Sequence, residues 1–298
     1  MGVKNEMGIL LLCFFLLFNT GIATNPTGCT SDESDSSVTH YLCDMTTVGG
    51  SITFADFTDS EPQRLSLYNV DHSISSSLFS GFGAFQVNNL NEDYPATLQF
   101  LCTNALTIAS STFTNLGYME DVRFNDCSTS LIASMFSGLG TINHLSITGG
   151  TLSTIDANTF TSLTIEPVAS VEDPRGELII RNVVLTPGTF PSSFFSPLTT
   201  VKRIYLENLG LTAVDASWFT SNIALVYLSL ANNQITTLPA TVFNTLTGLL
   251  DVKLEGDPLD CTDSSTVWYY DYSVTNNITF DGPAVCATPV DQQGKYIE

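Results

Sequence analysis

The stretch from Ala224 to Leu246 reads ALVYLSLANNQITTLPATVFNTL, and it predicts the architecture of the chain. Leu228 and Leu230 alternate in the manner of a short strand that buries one face. Asn233 follows where the chain must turn away from that strand, so its amide can bond backbone groups of a neighbouring coil. Because one such unit cannot bury its apolar face alone, the pattern predicts similar copies stacked on either side.

Similar copies occur along most of the chain. Measured from the first apolar residue of each strand, eight candidate strands begin at Leu65, Leu98, Val122, Leu145, Leu178, Ile204, Leu228 and Val252. They are separated by 33, 24, 23, 33, 26, 24 and 24 residues. A phenylalanine recurs downstream of six of them, at Phe79, Phe113, Phe136, Phe160, Phe219 and Phe243. Because so many positions share one register, we infer a coil that repeats along a single axis.

The copies differ in their insertions and at the asparagine position. The two 33-residue steps contain the acidic, proline-containing segments NEDYP (91–95) and VEDPRG (171–176). Insertions on one face of a coil often form a binding edge, although a solvated loop is equally consistent with them. We expect the position of Asn233 to be held in the other copies by Val70, Thr103, Cys127, Gly150, Val183, Leu209 and Gly256.

Residues 228–239 match L-x-L-x-x-N-x-L-x-x-L-P, so the chain resembles leucine-rich repeat proteins. The later segments GDPLDC and AVCATPVDQQG resemble the C-terminal cap of extracellular members, with Asp257 in place of the usual asparagine and two cysteines instead of four. The aromatic run Trp268-Tyr269-Tyr270 should cover the last coil. The resemblance implies an α/β-type solenoid, a curved leucine-rich repeat horseshoe. Its short parallel strands would line the concave face, with mostly irregular coil on the convex face and a disulfide cap at each end.

The N-terminal residues resemble a secretory signal peptide. Lys4 precedes an apolar run over residues 8–18, and Gly21 and Ala23 suit a cleavage site. The run is shorter than the roughly 20 apolar residues that span a bilayer. We therefore expect a mature chain without membrane insertion that is secreted, or held at a cell surface if it continues past Glu298. The predicted segments are a signal peptide (1–23), an N-terminal cysteine cap (24–60), about eight repeats (61–255) and a C-terminal cysteine cap (256–298).

Removal of the leader would leave six cysteines, an even number that suits an oxidising compartment. In sequence they group as Cys29 with Cys43, Cys102 with Cys127, and Cys261 with Cys286. Six cysteines allow fifteen pairings, so this pairing is a hypothesis. For the middle pair, a bridge between adjacent coils and two buried free thiols both remain open. Asn277 begins the only N-x-S/T acceptor and is a predicted glycosylation site.

Composition excludes several kinds of function. With nine Lys and Arg against thirty Asp and Glu, the net charge of −21 argues against binding nucleic acids or anionic membranes. The three histidines, His40, His72 and His144, fall in different copies, and no catalytic or C-x-x-C motif accompanies them. We therefore expect no enzyme activity, no cofactor and no metal site.

The clearest functional signal is the distribution of charge. Residues that flank each buried pair should point outward from a concave sheet, and five of the nine basic residues fall on the twenty-four such positions. The predicted binding residues are Arg64, Tyr68, Gln99, Arg123, His144, Arg181, Arg203, Tyr205, Glu207, Tyr227, Lys253 and Glu255. Arginine and tyrosine are enriched in protein interfaces. Acidic residues share these positions, however, so neighbouring strands could instead pair their charges with each other.

These observations predict a non-enzymatic extracellular recognition module that binds a protein partner through its concave face, in adhesion, receptor–ligand or signalling contacts. The alternative is innate-immune-type recognition of a glycan or microbial surface. Tyr68, Tyr205 and Tyr227 keep the alternative open, since a carbohydrate site needs exposed aromatic rings.

Overall fold

Short strands joined by turns make up nearly all of the computed structural model, which describes residues 25, 27–32, 40–48, 64–71, 73–80, 95–167, 175–262, 264–279, 285–288 and 294. The predicted leader (1–23) and residues 91–94 and 171–174 of the two insertions lie outside the described residues. In chain order the elements are β1 (Cys29–Asp32), β2 (His40–Asp44), β3 (Arg64–Val70), β4 (Ser73–Ile74), β5 (Thr97–Cys102), β6 (Thr107–Ile108), β7 (Asp121–Asn125), β8 (Thr129–Leu131), β9 (Gly140–Ile142), β10 (His144–Thr148), β11 (Thr151–Ile155), β12 (Leu163–Ile165), β13 (Glu177–Arg181), β14 (Val184–Leu185), β15 (Arg203–Glu207), β16 (Tyr227–Ser229), β17 (Asp251–Lys253), β18 (Leu259–Asp260), α1 (Ser264–Asn276) and β19 (Cys286–Thr288).

One ten-stranded sheet forms the concave face of the solenoid. Its order is β1-β2-β3-β5-β7-β10-β13-β15-β16-β17, and every neighbouring pair is parallel except β1 with β2. The predicted register is confirmed for all eight strands: Leu65 is opposite Leu98, and the same alignment continues to Leu228 opposite Val252. The N-terminal strand β2 extends the sheet by one coil that the sequence analysis did not identify.

The outer side of the solenoid contains more regular structure than predicted. Three small parallel sheets accompany the turns there: β4 with β6, β8 with β11 and β14, and β9 with β12. They form because successive coils stack in register, which brings extended segments of neighbouring coils within hydrogen-bonding distance. The expectation of mostly irregular coil therefore holds for the turns between these sheets.

A column of phenylalanine rings fills the interior. The rings of Phe113 and Phe136 lie 6.0 Å apart, those of Phe136 and Phe160 5.8 Å apart, and those of Phe195 and Phe219 5.6 Å apart. Phe195 takes this position in the coil of β13, for which the sequence analysis named no phenylalanine. Burying each ring stabilises the fold by about 1.5–3 kcal/mol, so the column accounts for much of the packing between coils.

Seven of the eight predicted repeat strands lead into a residue in the left-handed conformation, which lets the chain turn away from the sheet. At the fourth position after the first apolar residue of the strand, positive φ angles occur at Asn69 (54°), Asp126 (56°), Gly149 (72°), Asn182 (56°), Asn208 (53°), Asn232 (59°) and Gly256 (83°). Asparagine, aspartate and glycine tolerate this conformation best. The same turn geometry therefore recurs in coils that lack an asparagine at the fifth position, which is the position of Asn233 relative to Leu228.

The prediction that Gly256 takes the position of Asn233 is wrong. Gly256 corresponds to Asn232, and a Cβ atom on Gly256 would lie 2.5 Å from Asn232 Oδ1. Asp257 is the residue that corresponds to Asn233, because its Oδ1 accepts a hydrogen bond from the backbone of Ile235 at 3.0 Å. In the same way Asn233 Oδ1 accepts one from Leu211, at 3.3 Å.

The C-terminal cap covers the last coil with the helix α1. Trp268 Nε1 donates to Leu238 O at 3.1 Å, and Tyr272 Oη donates to Phe243 O at 2.9 Å. The ring of Tyr269 lies 6.3 Å from that of Phe243 and is buried. Trp268 and Tyr269 therefore cover the last coil as predicted, together with Tyr272.

Candidate binding surface on the concave face

Three outward positions on each strand form three rows across the sheet, which we call the first, middle and third rows. The first row contains Arg64, Thr97, Asp121, His144, Glu177, Arg203, Tyr227 and Asp251. The middle row contains Ser66, Gln99, Arg123, Ser146, Ile179, Tyr205, Ser229 and Lys253. The third row includes Asn125, Thr148, Arg181 and Glu207. The register thus brings most of the predicted binding residues onto one surface.

Most of these predicted residues are half-buried, as side chains standing on a sheet should be. This group consists of Arg64, Tyr68, Gln99, Arg123, Arg181, Arg203, Tyr205, Glu207, Tyr227 and Lys253. Glu255 is exposed, just beyond the end of β17. Tyr68 lies where β3 and β5 lose their regular pairing, between Leu67 and Val70. His144 differs from the rest, because only 3% of it is exposed.

A buried ionic cluster surrounds His144 in the first row. His144 Nδ1 lies 2.8 Å from Glu177 Oε1 on the adjacent strand. Arg175 reaches both groups, with its Nη1 3.1 Å from Glu177 Oε1 and 3.3 Å from His144 Nδ1, and its Nη2 lies 3.5 Å from Asp121 Oδ2. Arg123 Nε donates to Asp121 Oδ1 at 2.9 Å. The cluster joins three strands, so His144 supports the surface from beneath.

The contacts within the cluster shift the pKa values of Glu177 and Arg123. Burial alone would raise the pKa of Glu177, but the hydrogen bond with His144 and the charges of His144 and Arg175 lower it overall. Hydrogen bonds to Asp121 raise the pKa of Arg123. Arg175 was not among the predicted binding residues, because it lies just before β13 and reaches Asp121 across 54 positions of sequence. The only sequence feature that pointed to Arg175 was its position in the insertion VEDPRG (171–176).

The C-terminal half of the face contains an open depression of about 570 Å³. Its lining residues are Arg181, Asn182, Tyr205, Glu207, Asn208, Tyr227, Asn232 and Lys253. Arg181 Nε lies 2.7 Å from Glu207 Oε2, and its guanidinium carbon lies 5.7 Å from the centre of the Tyr205 ring. The rings of Tyr205 and Tyr227 lie 5.0 Å apart. Burial raises the pKa of Tyr205 to about 12, so its hydroxyl remains protonated at neutral pH.

Part of the charge on the face is paired within it. Arg123 with Asp121, Arg181 with Glu207, and Lys253 with Glu255 at 3.6 Å form ion pairs. Arg64 and Arg203 form no ion pair with any residue that the structure describes. The sequence raised the alternative that neighbouring strands pair their charges with each other, and this holds for Arg181 with Glu207. Arg123 and Lys253 each pair instead with an acid two residues away along the chain.

The three proposed cysteine pairs are bonded: Cys29 with Cys43, Cys102 with Cys127, and Cys261 with Cys286. Asn277 is exposed immediately after α1, which leaves it accessible to a glycan, and its glycosylation stays a prediction. Within the described ranges, no group of three or more His, Cys, Asp or Glu side chains is arranged so that it could hold a metal ion. The described part of the chain also holds no helix that is long and apolar enough to cross a membrane.

Comparison with known proteins agrees with the stacked coils. The sequence profile of the family described as leucine rich repeat matches residues 199–259, the region of the best-preserved copy. Residues 199–259 therefore match the leucine-rich repeat family, and the described chain forms a solenoid of stacked coils with a disulfide near each end. No curated protein matches it.

Among solved structures, this chain is similar to a chain of a structure described as the octameric complex of Latrophilin 3 (Lec, Olf), Unc5D (Ig, Ig2, TSP1) and FLRT2 (LRR). The two are 16% identical in sequence, with a TM-score of 0.40, and the match covers 83% of this chain and 90% of the other.

Proposed function

We propose that this leucine-rich repeat protein recognises an extracellular protein partner through the concave face, in an adhesion, receptor–ligand or signalling contact. The observation that carries the proposal is the extent of the surface. Accessible polar and aromatic side chains occupy eight parallel strands in register. At about 4.8 Å between strands, this surface is about 34 Å long, which suits a protein footprint better than a small molecule.

The charge distribution supports the same proposal. The chain carries a net charge of −21, yet five of its nine basic residues stand on this one face. The acidic remainder of the surface disfavours nonspecific association with acidic macromolecules, so a partner would be guided toward the more neutral face. Arg203 is half-buried and forms no ion pair with the described residues, so its guanidinium is available to a carboxylate or carbonyl group of a partner.

Several side chains of the surface are also held in place by contacts with each other. Arg181 is held between Glu207 and the ring of Tyr205, and Glu207 in turn accepts a hydrogen bond from Ser229. Beneath the middle of the face, the Arg175 cluster ties β7, β10 and β13 together. A preorganised surface loses little conformational entropy on binding, which favours affinity.

The extracellular location belongs to the proposal as well. All six cysteines that the structure describes are paired in disulfides, which persist in oxidising compartments. The predicted leader at residues 1–23 would direct the chain there. No cofactor and no catalysis enter this function.

The test is a binding screen of the purified protein against a panel of extracellular protein ectodomains. The variant combines Arg203→Glu with Arg181→Gln; glutamine is chosen at Arg181 because glutamate would stand beside Glu207. We expect the double variant to bind at least about tenfold more weakly, a loss of about 1.4 kcal/mol. Its Tm should stay within a few degrees of the wild type, since an ion pair between partly solvent-accessible groups contributes only about 0–1 kcal/mol to stability.

Lys202→Glu is the matched control. Lys202 precedes β15 and is adjacent to Arg203 in sequence, but it belongs to none of the three rows. It changes the net charge as Arg203→Glu does, so it should leave binding within about twofold if the face itself makes the contact. A partner that binds the double variant as well as the wild type would refute the concave face as the binding surface.

A further inference from the structure

The depression in the C-terminal half of the concave face is open and is lined by polar and aromatic side chains. All eight residues that line it have polar side chains, and none is aliphatic. Hot spots in protein interfaces are usually well-packed, desolvated pockets, and drug-like ligands bind in mostly apolar ones. This depression is instead open and offers hydrogen-bonding groups beside two aromatic rings. We propose that it binds a short, uncharged oligosaccharide.

The hydrogen-bonding groups are arranged as a row of amides. Asn182, Asn208 and Asn232 are exposed, and they take the same turn position in three successive coils. Their backbones are held in the left-handed conformation, so the amides have fixed origins about 4.8 Å apart. Asn208 Nδ2 donates to Asn182 Oδ1 at 2.8 Å, which orients both side chains. Amides that present a donor and an acceptor match the hydroxyl groups of a sugar, which do the same.

The aromatic groups supply the apolar part of the site. The rings of Tyr205 and Tyr227 lie 5.0 Å apart with an angle of 38° between their planes. The guanidinium carbon of Arg181 lies over the Tyr205 ring, 5.7 Å from its centre. The C–H face of a sugar ring packs against such rings, while a protonated tyrosine hydroxyl donates to its oxygen atoms. Tyr205 remains protonated at neutral pH, as its environment requires.

The charges of the depression favour an uncharged ligand. Arg181 is neutralised by Glu207, and Lys253 lies 3.6 Å from Glu255 Oε2. An acidic sugar would have to displace one of these carboxylates and approach a chain with a net charge of −21. A neutral sugar needs neither step, because its hydroxyl groups can bond to Asn208 and Asn232 without breaking an ion pair.

The experiment uses an array of immobilised, defined oligosaccharides, both uncharged and acidic, followed by calorimetry with the best free oligosaccharide. Tyr227→Leu removes one ring, and Asn208→Gly removes one amide. Glycine is chosen because Gly149 and Gly256 already occupy the same turn position, so the backbone conformation is kept. We expect the wild type to bind uncharged oligosaccharides, and each variant to bind at least about tenfold more weakly.

Tyr68→Leu and Asn69→Gly are the matched controls. Both make the same substitution in the coil of β3, far from the depression, and should leave the affinity for the oligosaccharide within about twofold. The proposal is overturned if no oligosaccharide binds, if only acidic ones bind, or if Tyr227→Leu and Asn208→Gly bind like the controls. The inference goes beyond the proposed function and is tested separately from it. If no oligosaccharide on the array binds but an ectodomain does, the oligosaccharide site is refuted and protein recognition is still supported.

Discussion

The turn after the strand is stabilised by different chemistry in two regions of the solenoid. In the N-terminal region Cys127 occupies the fifth position of its coil and is bonded to Cys102 of the coil before. In the C-terminal region Asn233 occupies the same position and bonds the backbone, with Leu209 N at 2.9 Å and Leu206 O at 2.8 Å. A covalent bond and an amide network thus perform one task, which is to join adjacent coils behind the sheet.

The last coil presents a third, less complete solution. Asp257 replaces the asparagine, and its Oδ1 accepts the hydrogen bond from Ile235 that an amide oxygen would accept. Its Oδ2 stands where Asn233 carries its Nδ2 donor, and it is buried without a hydrogen-bond partner among the described residues. Burial raises the pKa of Asp257 to about 7, because desolvation disfavours the charged carboxylate by more than the backbone hydrogen bonds from Ile235 and Asn233 favour it. The comparison teaches that the position requires a link between coils, and that asparagine is one way of making it.

Breaking the covalent link should have the largest effect. Cys102→Ala with Cys127→Ala opens a loop of 25 residues. Because the unfolded chain regains the entropy that the closed loop denied it, we expect the free energy of unfolding to decrease by about 3.5 kcal/mol. Urea unfolding of the mature protein measures it. A decrease below about 1 kcal/mol would contradict a bond that constrains the unfolded chain. Mass mapping without reduction serves as the control that the wild type carries the bond.

Removing the amide should have the next largest effect. Asn233→Ala leaves the N–H groups of Leu209 and Leu211 without their buried acceptor, and we expect a loss of about 2–3 kcal/mol in the free energy of unfolding. The adjacent Asn232→Gly is the control, because Asn232 is exposed and glycine accepts its positive φ; it should cost less than about 0.5 kcal/mol. Equal losses in both variants would show that the turn, and not the amide network, is the stabilising feature.

Replacing Asp257 with asparagine should have the smallest effect on the free energy of unfolding, and this effect should be stabilising. Asp257 is protonated up to about pH 7 in the folded chain but only up to its ordinary value of 3.8 when unfolded. The wild type therefore loses stability as the pH rises from about 4 to 7. Asp257→Asn removes this loss, so we expect it to be about 1–2 kcal/mol more stable at pH 7.5 and nearly equal to the wild type at pH 4.

The reciprocal variant Asn233→Asp provides the control for this pH dependence. It introduces the same carboxyl group one coil earlier and should lose stability over the same pH range. Thermal unfolding of both variants and the wild type from pH 4 to 8 measures the slopes. If Asp257→Asn keeps the slope of the wild type, the pH dependence belongs to other groups.

The sequence predicted the register well because the repeat gives many independent readings of one pattern. The alternation at Leu228 and Leu230, repeated along the chain, sufficed to align all eight strands. The strand β2 was missed because Tyr41 and Cys43 stand in place of its leucines, although Tyr41 precedes Leu65 by the usual 24 residues. Gly256 was assigned to the position of Asn233 in error, because it lies four residues after Val252, whereas Asn233 lies five residues after Leu228, as Asp257 does after Val252.

The candidate site could be predicted only in outline. That Arg181, Tyr205 and Tyr227 share a face follows from counting along strands, because a parallel sheet keeps equivalent residues in rows. That His144 is buried does not follow, because its cover includes Arg175 from a separate segment. Nor does counting reveal that three asparagine amides and two tyrosine rings enclose one depression.

The sequence by itself thus determined the coil, its repeat and the strands that line the concave face. These features are local or periodic, and the energy of burying a leucine or a phenylalanine depends little on which coil lies next to it. Only the tertiary structure decided which charges on the face are paired, which are buried and which remain accessible. Those outcomes depend on distances of a few ångströms between side chains from different coils, since electrostatic and hydrogen-bond energies change steeply over that range.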